Sequence, residues 1–158
     1  MDKKKNPTLI GRVEIVSFPE ININDSHARI DTGARTSTIW VSSARIEDGR
    51  LAVQFYGQGH PLFTGETFYY DDFTEMVVFS SNGQSDDRYV IKLLVCIGGR
   101  KIRARFTLAD RSTQTYPVLI GRNVLRGKFI VDVKLGSPVA DEKEQRQRRV
   151  RAHYSKGV

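Results

Sequence analysis

The chain has 158 residues, 39% apolar and 27% charged, with a formal net charge of +7, which fits one ordinary globular domain with a buried core. A single cysteine, Cys96, excludes an intrachain disulfide framework, and no apolar run approaches the ~20 residues needed to cross a bilayer. The charged start Met1–Pro7 lacks the apolar stretch of a secretory leader, so the cytoplasm is the expected location and no membrane partner is expected.

In chain order, residues 1–7 form a basic arm, with Lys3, Lys4 and Lys5 against Asp2. Arg12–Phe18 alternates as a strand, with Val13, Ile15 and Ser17 on one face, and Pro19 ends it. Ala28–Asp31 and Thr38–Val41 are strands flanking the turn Asp31-Thr32-Gly33. Leu51–Tyr56, Glu75–Phe79 and Arg88–Ile97 follow, and Asp48-Gly49 reads as a plain hairpin turn. Gly98-Gly99 supplies the tight turn into Lys101–Leu108, where Ile102, Ala104, Phe106 and Leu108 alternate with polar residues. Pro117–Ile120 is a strand, Arg122–Arg126 a short helix stopped by Gly127, and Phe129–Val133 a closing strand. After Gly136-Ser137-Pro138 the apolar pattern dissolves into a charged tail, residues 136–158, either helical or disordered. The fold class is all-β, a small closed or partly closed barrel over residues 8–135. Cys96, inside an apolar run, reads as a buried inert thiol. The basic ends read as solvated tails rather than as a nucleic-acid handle, so nucleic acid is not an expected partner.

The chemistry concentrates in Ala28-Arg29-Ile30-Asp31-Thr32-Gly33-Ala34, an apolar strand delivering a carboxylate into a Thr-Gly turn. Peptide hydrolysis by carboxylates needs two of them close together; like charges at that distance cannot both ionise, so the pair shares one proton. The ionised member then activates water while the protonated member polarises the scissile carbonyl. In such a turn Gly33 brings a backbone N–H to the carboxylate, and Thr32 can hydrogen-bond across a two-fold axis. Only one such triplet occurs, so the second acid must come from an identical chain in a C2 homodimer, Asp31 meeting Asp31.

Ile30-Asp31-Thr32-Gly33-Ala34 together with Tyr116–Leu125, containing Leu119-Ile120-Gly121-Arg122-Asn123, resembles the two signature segments of retropepsins, the homodimeric aspartic peptidases. That resemblance implies an apolar strand threading beneath the catalytic loop, a short helix after Leu-Ile-Gly-Arg, and an aspartic endopeptidase hydrolysing peptide bonds between two Asp31 carboxylates. The chain is similar, more narrowly, to retropepsin-like bacterial proteins labelled ATP-dependent zinc proteases, in Gly11-Arg12, Ile30–Ser37, Arg88–Lys92, Asp110-Arg111-Ser112 and Leu119–Leu125. Some of these are associated with ATP-grasp ligases that append glutamate tails, which implies an acidic, glutamate-rich peptide substrate. Ala34, Arg35 and Arg111 are then the candidate substrate-binding residues, since a cation beside the cleft favours carboxylate side chains. The turn Ser80–Asp87, with Asn82-Gly83 at its tip, is expected to be the flap that closes over substrate; the rival is the glycine-rich segment Gly57–Gly65.

The zinc label finds no support in the residues. His27, His60 and His153 lack the spacing of a metal site and read as scattered surface histidines; no phosphate-binding loop occurs, and neither metal nor cofactor is expected. Trp40 reads as packing rather than as a substrate anchor. Two other classes compete with the peptidase: a catalytically inactive retropepsin-like binding or dimerisation module, and a ribosome- or RNA-associated protein using its basic ends.

Overall fold

A computed structural model describes residues 6–80, 82–145, 147 and 151. The longest ladder is the hairpin of β8 (Ser85–Ile97) and β9 (Arg100–Ala109), in register from Val90↔Thr107 to Ile97↔Arg100. Gly98 and Gly99 at φ 55° and 76° make the two-residue turn, a conformation that costs glycine little. Period-two patterning sends Ile91, Leu93, Val95 and Ile97 inward, where they meet Ile102, Phe106 and Leu108.

Around this hairpin stand β2 (Val13–Phe18), β3 (Ile23–Ile30), β4 (Ser37–Glu47) and β10 (Val118–Ile120). β10 pairs in parallel with β3 and antiparallel with β4, while β4 runs parallel to β9. The sheet order β10-β3-β2-β8-β9-β4 therefore returns to β10. The result is all-β as expected, but a ring rather than a regular barrel, because β2 and β8 meet in one register pair, Ser17↔Cys96. Phe18 and Phe106 pack edge to face inside the ring at 5.4 Å, among Ile39, Ile91, Leu93 and Ile120. Beyond it, β4 continues into β5 (Arg50–Phe55) through the Asp48-Gly49 turn, and β6 (Phe68–Tyr70) adds to β5. β7 (Thr74–Phe79) pairs with the outer half of β8. β1 (Thr8–Ile10) and β11 (Phe129–Val131) form a separate parallel pair. α1 (Arg122–Leu125) follows β10.

Some local expectations change. In β2 Val16 and Phe18 turn inward and Ile15 is 37% exposed, although the ladder with β3 runs regularly from Val13 to Val16. Val13 is buried as well, and the chain after β11 bonds to it, Ser137 N–H donating to Val13 O at 2.7 Å. Cys96 is half-buried rather than buried, since it stands at the thin β2–β8 junction. Among the described residues, no helix is long and apolar enough to cross a membrane.

His60 is no scattered surface histidine; His153 lies outside the described residues. The segment after β5 folds over Trp40, so close that a side chain at Gly57 would meet the indole at 2.6 Å. His60 sits in this turn, edge-on to Tyr56 at 4.6 Å and to Trp40 at 6.0 Å, and its Nδ1 accepts the Leu62 N–H at 3.0 Å. Burial, then the nearby charge of His27, lowers its proton affinity below the ordinary histidine value. A base whose folded pKa is depressed gives stability that is complete above the unfolded pKa, about 6.5 for histidine, and that declines as pH falls through it. Urea midpoints measured from pH 8 to pH 5 are therefore expected to drop for the wild type, and His60→Gln is expected to flatten part of that drop.

Candidate active site

The loop carrying Asp31 is held from below by β10. Asp31 N–H donates to Ile120 O at 2.8 Å, which prolongs the β3–β10 ladder by one residue. On the far side Arg122 N–H donates to Ala34 O at 2.8 Å and Asn123 N–H to Arg35 O at 3.2 Å. Gly121 lies between these contacts, where a Cβ would stand 2.5 Å from Thr36 O and 2.9 Å from Ala34 O; only glycine lets the two backbones approach so closely. Ser37, fully buried, ties the loop to the strand: its Oγ accepts the Gly121 N–H at 2.9 Å and donates to Asn123 Oδ1 at 2.8 Å. Asn123 Nδ2 in turn donates to Arg105 O at 2.8 Å.

In this frame the Asp31 carboxylate is half-buried and its Oδ1 accepts the Gly33 N–H at 2.9 Å, while Thr32 and Gly33 are exposed. Asp31 lines a cleft of about 730 Å³ between its loop and the β7–β8 hairpin. Ala34, Thr36, Thr38 and Leu119 also line it from the loop side; Val78, Phe79, Ser80, Gln84 and Ser85 do so from the hairpin. The hairpin tip is ordered by its own turn: Ser80 N–H donates to Gln84 O at 2.8 Å, Gly83 N–H to Ser80 O at 3.0 Å, and Gln84 N–H to Asn82 Oδ1 at 3.1 Å. Asn82 and Gly83 themselves are exposed at the tip, and residues 57–65 are not among those lining the cleft.

Arg111 is half-buried in the cleft wall, its Nε donating to Tyr116 O at 2.9 Å. Among the described residues it forms no ion pair. Burial, followed by the charges of Arg88 and Arg29, pulls the guanidinium down to about 10, with Asp31 acting in the opposite direction. Such a group remains charged at neutral pH, but its charge is under-compensated. Arg88 reaches the same cleft, bound to Asp86 at 2.9 Å and to Thr107 Oγ1 at 3.3 Å, and Thr107 shares a buried bond of 2.8 Å with Thr38. Arg35, by contrast, is exposed and stands outside the cleft lining.

Sequence reasoning thus named Asp31, Ala34 and Arg111, all of which line the cleft, and placed Leu119 in the strand beneath the loop; it did not assign a role to Thr36, Thr38, Arg88 or Gln114. Thr38 and Leu119 were legible as strand residues beside buried Ile39 and Ile120, but which face met the cleft needed the ring closure. Trp40 packs on Tyr56 and His60, as its packing role implied.

A single Asp-Thr-Gly loop braced by an apolar-apolar-Gly strand, under an overhanging hairpin in an all-β ring, defines the class of retropepsin-like proteins. Residues 9–142 match the RimB-like family, described as "Retropepsin-like aspartic endopeptidase RimB", and the chain belongs to that family. It is also 32% identical over 133 residues to a protein of Shewanella pealeana named "Probable alpha-L-glutamate ligase", covering 80% of this chain and 29% of the relative. A protein of the same name from Desulfotalea psychrophila is 29% identical, over 80% of this chain and 28% of its own length. The chain therefore spans less than a third of these curated relatives. Among solved structures, a Legionella pneumophila protein of unknown function superposes with a TM-score of 0.53 at 19% identity, covering 83% of this chain and 97% of that one; that likeness concerns the fold.

Replacing Ser37 by Ala leaves the buried Gly121 N–H without its acceptor, which costs about 1–3 kcal/mol. Denaturant unfolding is expected to show that loss for Ser37→Ala, whereas Ser42→Ala, an exposed control, stays within about 0.5 kcal/mol.

Proposed function

We propose that the chain is an aspartic peptidase that works as a homodimer, hydrolysing acidic or glutamate-rich peptides with a water activated between two Asp31 carboxylates. The observation that carries this reading is the pairing, in one cleft, of the braced Asp31 loop with the under-compensated Arg111. Thr32 and Gly33 are exposed beside Asp31, which leaves the loop accessible to a second copy. Membership of a family described as aspartic endopeptidases supports the reaction. The substrate class is supported by the cations around the cleft and by the name of the relatives, which concerns glutamate. Under this reading the β7–β8 hairpin, with Asn82 and Gly83 at its tip, is the flap, and Thr32 links the two loops across the two-fold axis. Arg111 is the anchor for a substrate carboxylate, while Arg35 acts at the rim.

A second reading has one observation in its favour: the matched segment recurs within larger proteins named as ligases. In that case the domain is an inactive module that binds acidic peptides and presents them to another activity.

Asp31→Asn separates the two. The peptidase reading expects hydrolysis of a glutamate-rich peptide to fall about 10³-fold or more, with the dimer intact by analytical ultracentrifugation. It also expects inhibition by an aspartic-peptidase inhibitor and none by a chelator. Wild-type protein that binds such peptides without cleaving them would favour the module. Arg111→Ala is expected to raise KM for glutamate peptides about tenfold or more, the size of one charge-assisted hydrogen bond.

A further inference from the structure

The chain after β11 turns back over the ring and runs against Arg12 and Tyr116. Glu142 lies across both: Arg12 Nη1 donates to its two oxygens at 2.9 and 3.2 Å, and the Tyr116 hydroxyl donates to Oε2. Val139 N–H donates to the same hydroxyl at 3.3 Å. Tyr116 is buried, 5% exposed, so its hydroxyl needs a partner whenever Glu142 leaves.

This carboxylate-holding cluster adjoins the cleft. Arg29 is exposed, two residues before Asp31 on an extended strand, hence on the same face and about 7 Å along it. It pairs with Leu119, a cleft residue, on one side and with Val13, next to Arg12, on the other. The backbone of Tyr116 holds Arg111 in the cleft wall. Cations therefore run from Arg111 through Arg29 to Arg12, and Glu142 sits at the far end of that line. Burial pushes the Glu142 carboxyl up, but the bonds from Tyr116 and Arg12 and the charges of Arg12 and Arg29 together hold it below the usual carboxylate range.

We propose that Arg12, Arg29 and the Tyr116 hydroxyl form an outer carboxylate-binding subsite, and that Glu142 occupies it as a built-in competitor for an acidic side chain of the peptide. The inference rests on the acidic-substrate reading above and extends it to a second anchor and to self-occlusion. The contact is suited to exchange. Side chains of Arg12 and Glu142 remain 45% and 28% exposed, so solvent screens the pair and its net contribution is small. An incoming glutamate replaces a glutamate, with the same charge, the same donors and no orphaned hydroxyl.

The test measures binding apart from hydrolysis, in full-length chains all carrying Asp31→Asn, with fluorescent tetraglutamate as the probe and tetraglutamine as the control. Adding Glu142→Gln is expected to tighten tetraglutamate binding about tenfold, the gain from freeing a site that is otherwise mostly occupied, with tetraglutamine unchanged. Adding Arg12→Ala to that variant is expected to abolish the gain. Glu142→Asp, which keeps the charge but shortens the reach, is expected to give a smaller gain and covers the case in which Glu142→Gln folds poorly. Unchanged or weakened tetraglutamate binding in a folded Glu142→Gln or Glu142→Asp variant overturns this inference alone, provided Arg111→Ala still weakens binding. Failure of every form to bind tetraglutamate overturns the acidic-substrate reading and this inference with it.

Discussion

The site depends on one close approach, that of β10 to the back of the Asp31 loop. A carboxylate at the end of a strand is aimed only as well as the peptide carrying it, and here that peptide is fixed on both flanks by Ile120 O and by the Arg122 and Asn123 N–H groups. The approach leaves no room at Gly121 for a methyl group. Ser37 closes the arrangement by serving Gly121 and Asn123 at once. Because β10 also pairs with β3 and β4, the strand that closes the ring is the strand that braces the loop. Architecture and site share one support.

That dual role explains which parts of the molecule were legible beforehand. Long alternating strands such as β8 and β9 announce themselves, since one buried face imposes period two. The Asp31 loop and the Leu119-Ile120-Gly121 segment were legible for a different reason: their chemistry tolerates few residue types. β1 and β6, three residues each, carry too little pattern to be seen, and the polar Asn24-Asp25-Ser26-His27 run hid most of β3. There, Ser26 is buried because its hydroxyl shares a hydrogen bond of 2.6 Å with that of Tyr56, a partner thirty residues away that no local pattern reveals. The inward face of β2 was equally hidden, because Val13, which suggested the other face, is covered by the chain after β11.

The tail was read as a charged stretch, either helical or disordered; residues 137–142 are bound to Val13, Tyr116 and Arg12. Composition could not show these contacts, because a few specific bonds suffice to hold a polar segment on a finished surface. His60 makes the same point for buried polar groups. A lone histidine in a glycine-rich stretch looks solvated until the chain wraps it around Trp40 and Tyr56.

Charge places the proposed chemistry under a constraint of its own. Two carboxylates meeting on a two-fold axis must repel strongly enough to share a proton, and guanidinium groups nearby weaken that repulsion. Arg88 and Arg111 line the Asp31 cleft, and Arg111 feels the charges of both Arg88 and Arg29, so in the proposed dimer these cations would arrive in two sets. Under the proposed function, the same cations that would attract an acidic peptide would also screen the two acids from each other. A bound acidic peptide would resolve that conflict, since its carboxylates would take up the guanidinium charge. Under the proposed function an acidic substrate would thus be part of the catalytic electrostatics: it would neutralise the wall that drew it in, and a neutral peptide of the same shape would leave that wall charged.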